Sequence, residues 1–182
     1  MAQDSPPPSQ NNNSTAKGMV WLAWIAGLIF FTYLFQQVLE DRYNPNQALD
    51  ENRKPGQVHE VVLQRNAQGH YVADGLINRS RAIFLLDTGA TVVAIPAALA
   101  EQLKLPKERG SFSQTANGSV AVWETTLNSV QLGSIRLHNV RATILPSMQK
   151  GDPVLLGMSF LKQLELEQRN GELTLRQGRI AG

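Results

Sequence analysis

The sequence predicts an all-β domain, a closed barrel or folded-over sandwich with two short helices, carried behind one transmembrane helix. Three observations predict it. Residues 19–35 form an uncharged apolar run. Beyond that run, short apolar or alternating stretches are punctuated by Asn-Gly, Gly-Ser and other turn residues, the pattern of antiparallel strands joined by tight hairpins. Only residues 96–103 and 158–164 carry helical signals. A chain of 182 residues with 42% apolar content has room for one such domain and an N-terminal segment.

Composition excludes several classes. Net charge is +2 and the basic residues are scattered without a stripe, which argues against nucleic acid as a partner. Cysteine is absent, so a disulfide framework, a thiolate zinc site and a thiol nucleophile are all excluded. His59, His70 and His138 lack metal-ligand spacing and read as strand surface residues.

Residues 1–17, with Pro6-Pro7-Pro8 and Asn11-Asn12-Asn13, are too polar to bury a core and read as a disordered tail. Residues 18–39 have the length a bilayer crossing needs, and Trp21, Trp24 and Tyr33 stand where interfacial anchors would. A cleaved signal peptide and a buried core helix are the alternatives. Gln36-Gln37-Val38-Leu39-Glu40-Asp41 offers no small-residue cleavage site, and a core helix does not suit a place beside a disordered end. Lys17 on one flank and Glu40 and Asp41 on the other put the short N-terminus in the cytoplasm by the positive-inside bias. In a Gram-negative host, a single-pass inner-membrane protein would then hold its domain in the periplasm. Residues 40–57, broken by Asn44-Pro45-Asn46 and Lys54-Pro55-Gly56, read as a linker.

The domain is expected over 58–176, with 177–182 as a C-terminal tail. Residues 58–64 and 70–77 read as a hairpin around 66–69. A turn at 78–81 leads into the apolar run Ala82-Ile83-Phe84-Leu85-Leu86, read as a strand buried on both faces. Pro96 suits the first turn of a helix whose Leu99 and Leu103 share a face. Residues 111–115 and 120–123 flank Ala116-Asn117-Gly118-Ser119, a strong hairpin signal. Residues 126–132 and 135–145 form another hairpin, 154–157 a short buried strand, and 164–168 with 172–175 a last hairpin around Asn170-Gly171. The total is about nine strands.

The first apolar run ends in Asp87-Thr88-Gly89-Ala90 and a second run follows at once. A carboxylate at the end of a buried strand is costly unless it is paired, so the placement suggests chemistry. A turn acid that caps the Pro96 helix is the bland alternative, and its distance from Pro96 speaks against it. Later in the chain, Asn117-Gly118 marks a hairpin tip and Leu155-Leu156-Gly157 precedes a helix. In order and motif these parts resemble the retropepsin-like aspartic proteases, and most closely their membrane-anchored bacterial members. The resemblance covers residues 58–176. It departs from the retroviral pattern at Thr91, Met158 and Ser159, where that pattern has Asp, Arg, and Asp or Asn.

The resemblance implies a single-lobed closed barrel and an endopeptidase that hydrolyses polypeptide without a cofactor or metal. Its catalytic residues would be Asp87, Thr88 and Gly89. Ala90, Ala116, Asn117 and Gly118 would contact substrate as loop and flap, and Leu155, Leu156 and Gly157 would give structural support. The chemistry needs two carboxylates that share a proton across a water. None of Asp4, Asp41, Asp50, Asp74 and Asp152 is followed by Thr-Gly or Ser-Gly, so activity requires a homodimer that pairs Asp87 from each chain. Ala90, where pepsins commonly carry Ser, predicts an optimum less acid than pepsin's. The alternative function is a peptide-binding or scaffolding module of the same fold without turnover, which the departures at Met158 and Ser159 favour. Gly157-Met158-Ser159-Phe160-Leu161 lacks the closing glycine of a nucleophile elbow.

Overall fold

The computed structural model describes residues 13–51, 58–115 and 118–178. It divides into two compact units, Met1–Glu40 and Asp41–Gly182. The described residues of the first lie in helix α1, Asn13–Tyr43, whose last three residues belong to the second. Within α1, the 27-residue stretch Lys17–Tyr43 contains an 18-residue window of mean hydropathy 1.9, long and apolar enough to cross a membrane. Its large side chains, from Trp21 to Phe35, are exposed on all sides. The helix runs past the expected end at residue 39. Glu40, Asp41 and Arg42 do not break it, and it stops at Tyr43, one residue before the Asn44-Pro45 pair, whose proline disfavours helical backbone. Of the expected disordered tail, residues 1–12 lie outside the described residues and 13–17 are helical.

The second unit is a β-barrel. In chain order its elements are β1 (His59–Gln64), β2 (Val72–Ile77), β3 (Ser80–Leu86), β4 (Val93–Pro96), α2 (Ala97–Gln102), β5 (Gly110–Thr115), β6 (Gly118–Leu132), β7 (Ile135–Leu145), β8 (Val154–Leu156), α3 (Met158–Leu161), β9 (Glu165–Arg169) and β10 (Glu172–Gln177). The order β2-β3-β8-β4-β7-β6 closes on itself through a β2–β6 pairing, giving a barrel of six strands. β5 hangs on β6 as a projecting hairpin, and β1, β10 and β9 form a separate sheet. Phe84, Ile95, Leu127, Leu132, Ile144 and Phe160 are fully buried and fill the interior. Arg176 on β10 bridges Glu60 of β1 and Glu167 of β9 across that outer sheet, and the two carboxylates raise its pKa.

Several expectations change. The barrel is mixed rather than purely antiparallel: β3 runs parallel to β8, and β4 parallel to β7. Those strands are joined by long excursions, which leave either direction open. Residues 120–123 and 126–132 belong to one strand, β6. Glu124 between them breaks the apolar run without turning the backbone, and its carboxylate pairs with Arg109 at 3.1 Å. β4 is a strand in its own right, so the described residues hold ten strands. Pro96 closes β4 and caps α2 instead of entering its first turn. β3 is not buried on both faces. Phe84 is fully buried while Ile83 is 43% exposed, because one face lines the barrel and the other meets solvent. The strand of the last hairpin extends into the expected C-terminal tail, through Gln177.

Candidate active site

The backbone around Asp87 is held from three sides. Leu86, the last residue of β3, pairs with Leu156 of β8 and donates its amide to the Tyr71 carbonyl at 3.0 Å. The Asp87 amide donates to the Leu156 carbonyl at 3.3 Å. The chain then turns: the Ala90 amide donates to the Asp87 carbonyl at 3.2 Å, and the Gly89 amide donates to Asp87 Oδ1 at 2.9 Å. A Cβ at Gly89 would stand 3.1 Å from the same oxygen, so glycine keeps the approach open. Asp87 is half-buried while Thr88 and Gly89 are exposed. The Thr88 hydroxyl makes no hydrogen bond with any described residue.

The exit of the loop is locked against α3. Met158 and Ser159 donate their amides to the carbonyls of Ala90 and Thr91 at 2.8 and 3.0 Å. The Ser159 hydroxyl accepts from the Val93 amide at 3.0 Å and donates to the Arg141 carbonyl at 2.7 Å. One buried hydroxyl thus fastens the start of β4, the middle of β7 and the start of α3. Gly157 allows this closeness. A Cβ there would collide with the Val92 carbonyl oxygen and stand 2.7 Å from that of Ala90.

Asp87 lines a cavity of about 480 Å³. Gly89, Ala90, Val92, Ala94 and Leu155 line it too, together with Thr143 and Leu145 of β7 and Ser113 and Gln114 of β5. The size suits a ligand of several residues. A second cavity of about 440 Å³, lined by Ile83, Pro96, Leu99 and Lys150 among others, does not include Asp87.

Of the residues expected at the site, Asp87, Gly89, Ala90 and Leu155 meet in the cavity, while Leu156 and Gly157 lie behind it and shape the loop. Gly118 opens β6 with a φ of 106°, opposite Thr115 of β5. Ala116 and Asn117 lie outside the described residues. In the sequence Ser159 stands only as a departure from the retroviral pattern and a rejected nucleophile, not as a structural tie. A lone hydroxyl within the apolar Met158-Ser159-Phe160-Leu161 was the signal, since a buried hydroxyl needs partners. Ser113, Gln114, Thr143 and Leu145 carried none.

Comparison with known proteins agrees with this geometry. The family model described as "gag-polyprotein putative aspartyl protease" matches residues 73–163, half of the chain. The chain belongs to this retropepsin-like aspartic protease family. The matched stretch begins in β2 and ends just after α3, so it contains the Asp87 loop, the β5–β6 hairpin and Gly157. The crystal structure of a retropepsin-like aspartic protease from Rickettsia conorii is 27% identical, with a TM-score of 0.53 over 66% of this chain and 91% of that one. An uncharacterized Sinorhizobium sp protein, from the region 5′ of cobV, is 33% identical over 168 residues, 86% of this chain and 71% of its own length. The uncharacterized protein RP867 of Rickettsia prowazekii is 28% identical over 112 residues, 60% of this chain and 47% of its own length.

Proposed function

We propose that this retropepsin-like chain is a membrane-anchored aspartic endopeptidase whose active form is a homodimer. The observation that carries the reading is the Asp87 loop: a half-buried carboxylate that lines a cavity and is oriented by a backbone amide. One chain supplies one such group. Two carboxylates brought within a few ångströms cannot both ionise, so a dimer would hold one proton between them. The ionised partner would take a proton from water as it attacks the scissile carbonyl, and the protonated one would donate to the carbonyl oxygen. The exposed Thr88 hydroxyl is free to bond across the two-fold axis. The β5–β6 hairpin would close over a bound polypeptide and exclude water. α1 would anchor each copy in the membrane and raise the local concentration of its partner. By charge bias the domain would face away from the cytoplasm, in the periplasm of a Gram-negative host.

A non-hydrolysing peptide-binding module was favoured by the residues after Gly157. Ser159 weakens that reading, because its hydroxyl fastens the loop where the Arg and the Asp or Asn of the retroviral pattern are missing. The test incubates the full chain in detergent micelles with a diverse peptide library. Cleavage is expected from the native chain, with an optimum less acid than pepsin's, and is lost in Asp87→Asn while the melting temperature stays within about 3 °C. Peptide binding without cleavage by the native chain, at every pH tried, would overturn the enzymatic reading.

A further inference from the structure

The segment that composition assigns to a linker is the first structural element of the domain. Asn44 and Asn46 are only 4% and 5% exposed, a degree of burial that asparagine reaches only with its hydrogen bonds satisfied. The Asn46 side chain uses both ends. Its Nδ2 donates to the carbonyls of Gln64 and Val72 at 2.9 and 2.7 Å, and its Oδ1 accepts from the Gln64 amide at 2.7 Å. It thereby stands in for a peptide unit between the end of β1 and the start of β2. Its backbone forms a parallel bridge with Ala73 and accepts from the Asp74 amide at 3.2 Å. Asn44 holds this geometry, accepting from the Asn46 amide at 3.0 Å and donating to Asp74 Oδ1 at 2.6 Å. Asn66 Nδ2 donates to the Tyr43 carbonyl at 2.9 Å and fixes the near end.

The topology gives this strap a task. One edge of β2 pairs with β3 along its whole length. The other edge meets β6 only at Leu76 and Ile77. There β6 comes so close that a Cβ on Gly75 would strike the Gln131 carbonyl oxygen. At Ala73 and Asp74 the seam of the barrel is closed by Asn46 instead. β2 in turn holds the end of β3, with Val72 opposite Leu85 and the Tyr71 carbonyl accepting from the Leu86 amide. The next residue is Asp87.

We infer that Asn46 is a positioning residue for the Asp87 loop, and that residues 43–46 form a brace that closes the barrel seam behind it. The inference rests on reading Asp87 as the reacting acid. It places the functional start of the protease domain at Tyr43. Proteolysis downstream of Asn46 and upstream of β1 would cut the brace from the strands it supports, whereas cleavage before Tyr43 would leave it attached. Where a released form is cut would then decide whether it is active.

Residue-resolved hydrogen exchange on the full chain in detergent micelles, beside peptidase assays, tests the brace. In Asn46→Ala, exchange at the Gln64 and Asp74 amides, which bond Asn46 directly, is expected to rise about tenfold or more. Exchange at the Leu86 amide, one strand further in, should rise with them. Peptidase kcat should fall by at least about tenfold with KM nearly unchanged. Asn46→Asp adds a readout that a loosened fold does not give. The introduced carboxyl can accept from Gln64 in either form but can donate only when protonated. Asp74, bonded to Asn44, and Glu172, bonded to the Gln64 side chain, are acids linked to this site, and both favour protonation of the introduced carboxyl. Leu86 protection should therefore recover as pH falls. The milder Asn44→Ala should raise exchange at Asp74 in a chain that still folds. Faster exchange confined to Gln64 and Asp74, with Leu86 and kcat unchanged, would overturn the brace, as would pH-independent protection in Asn46→Asp. A native chain without peptidase activity would sink the enzymatic reading alone, and the exchange pattern would still decide whether the seam is held by Asn46.

Discussion

Gly157→Ala is the sharpest test of how the Asp87 loop is built. The backbone at Gly157 has φ of −86° and ψ of −172°, a region open to alanine, so the substitution carries no conformational penalty. Restricting the unfolded chain should even favour the folded state by about 0.4–1 kcal/mol. Against that stands the added methyl. It would overlap the Val92 carbonyl oxygen and lie 2.7 Å from that of Ala90. Both belong to backbone, which cannot swing aside as a side chain does. The Ala90 carbonyl also accepts the Met158 amide, so moving it strains the lock between the loop and α3. Overpacking of this kind costs about 3 kcal/mol, the upper part of its usual range. The net loss is about 2 kcal/mol, and the melting temperature of the domain should fall by about 6–8 °C. Peptidase activity should fall further than the unfolded fraction explains, because the displaced carbonyls flank Asp87. Thermal melts followed by circular dichroism, with activity at a temperature where both forms are folded, measure the two effects. A melting shift under about 2 °C with full activity would refute the steric account.

Other outcomes follow from the same contacts. Ser159→Ala should strand the buried Val93 amide and the Arg141 carbonyl, costing about 2–4 kcal/mol, read as a lower urea midpoint at unchanged slope. An unchanged midpoint would show that the hydroxyl fastens nothing. At the base of the β5–β6 hairpin, the Arg109 guanidinium bonded to Glu124 holds that carboxyl below its usual value, with a smaller contribution from Ser111 and an opposing one from burial. The interaction favours the charged form, so its contribution is present above the ordinary Glu value and is lost as pH falls through the lowered one. Arg109→Gln should move the Glu124 titration upward in carboxyl-resolved NMR, and an unmoved titration would contradict the pairing.

Much of this fold is legible in the sequence for local reasons. The Asn170-Gly171 turn has both residues at positive φ, 51° and 84°, as an Asn-Gly hairpin requires. The uncharged run at 19–35 needs only its own side chains to make an apolar helix. Features that depend on distant partners are not legible. Glu124 interrupts the apolar pattern of β6 but lies within one strand, and only its pairing with Thr143 of β7 and its backbone bonds to Glu108 and Arg109 fix that. Ser159 reads as an isolated hydroxyl until Val93 and Arg141 arrive on either side of it. Asn44-Pro45-Asn46 reads as a chain breaker, and does end α1, yet the same residues close a barrel whose strands lie further along the chain.

Local residue types are enough to mark the acid and its neighbours. Asp87-Thr88-Gly89, the Asn-Gly turn at 170–171 and the apolar N-terminal helix depend on residue types and spacings that act within a few positions. Only the tertiary structure decided what holds that acid in place. Gly157, Ser159 and Asn46 act through backbone groups up to 66 residues away, as between Val93 and Ser159, and a hydrogen bond to backbone leaves no mark on the identity of the residue that receives it.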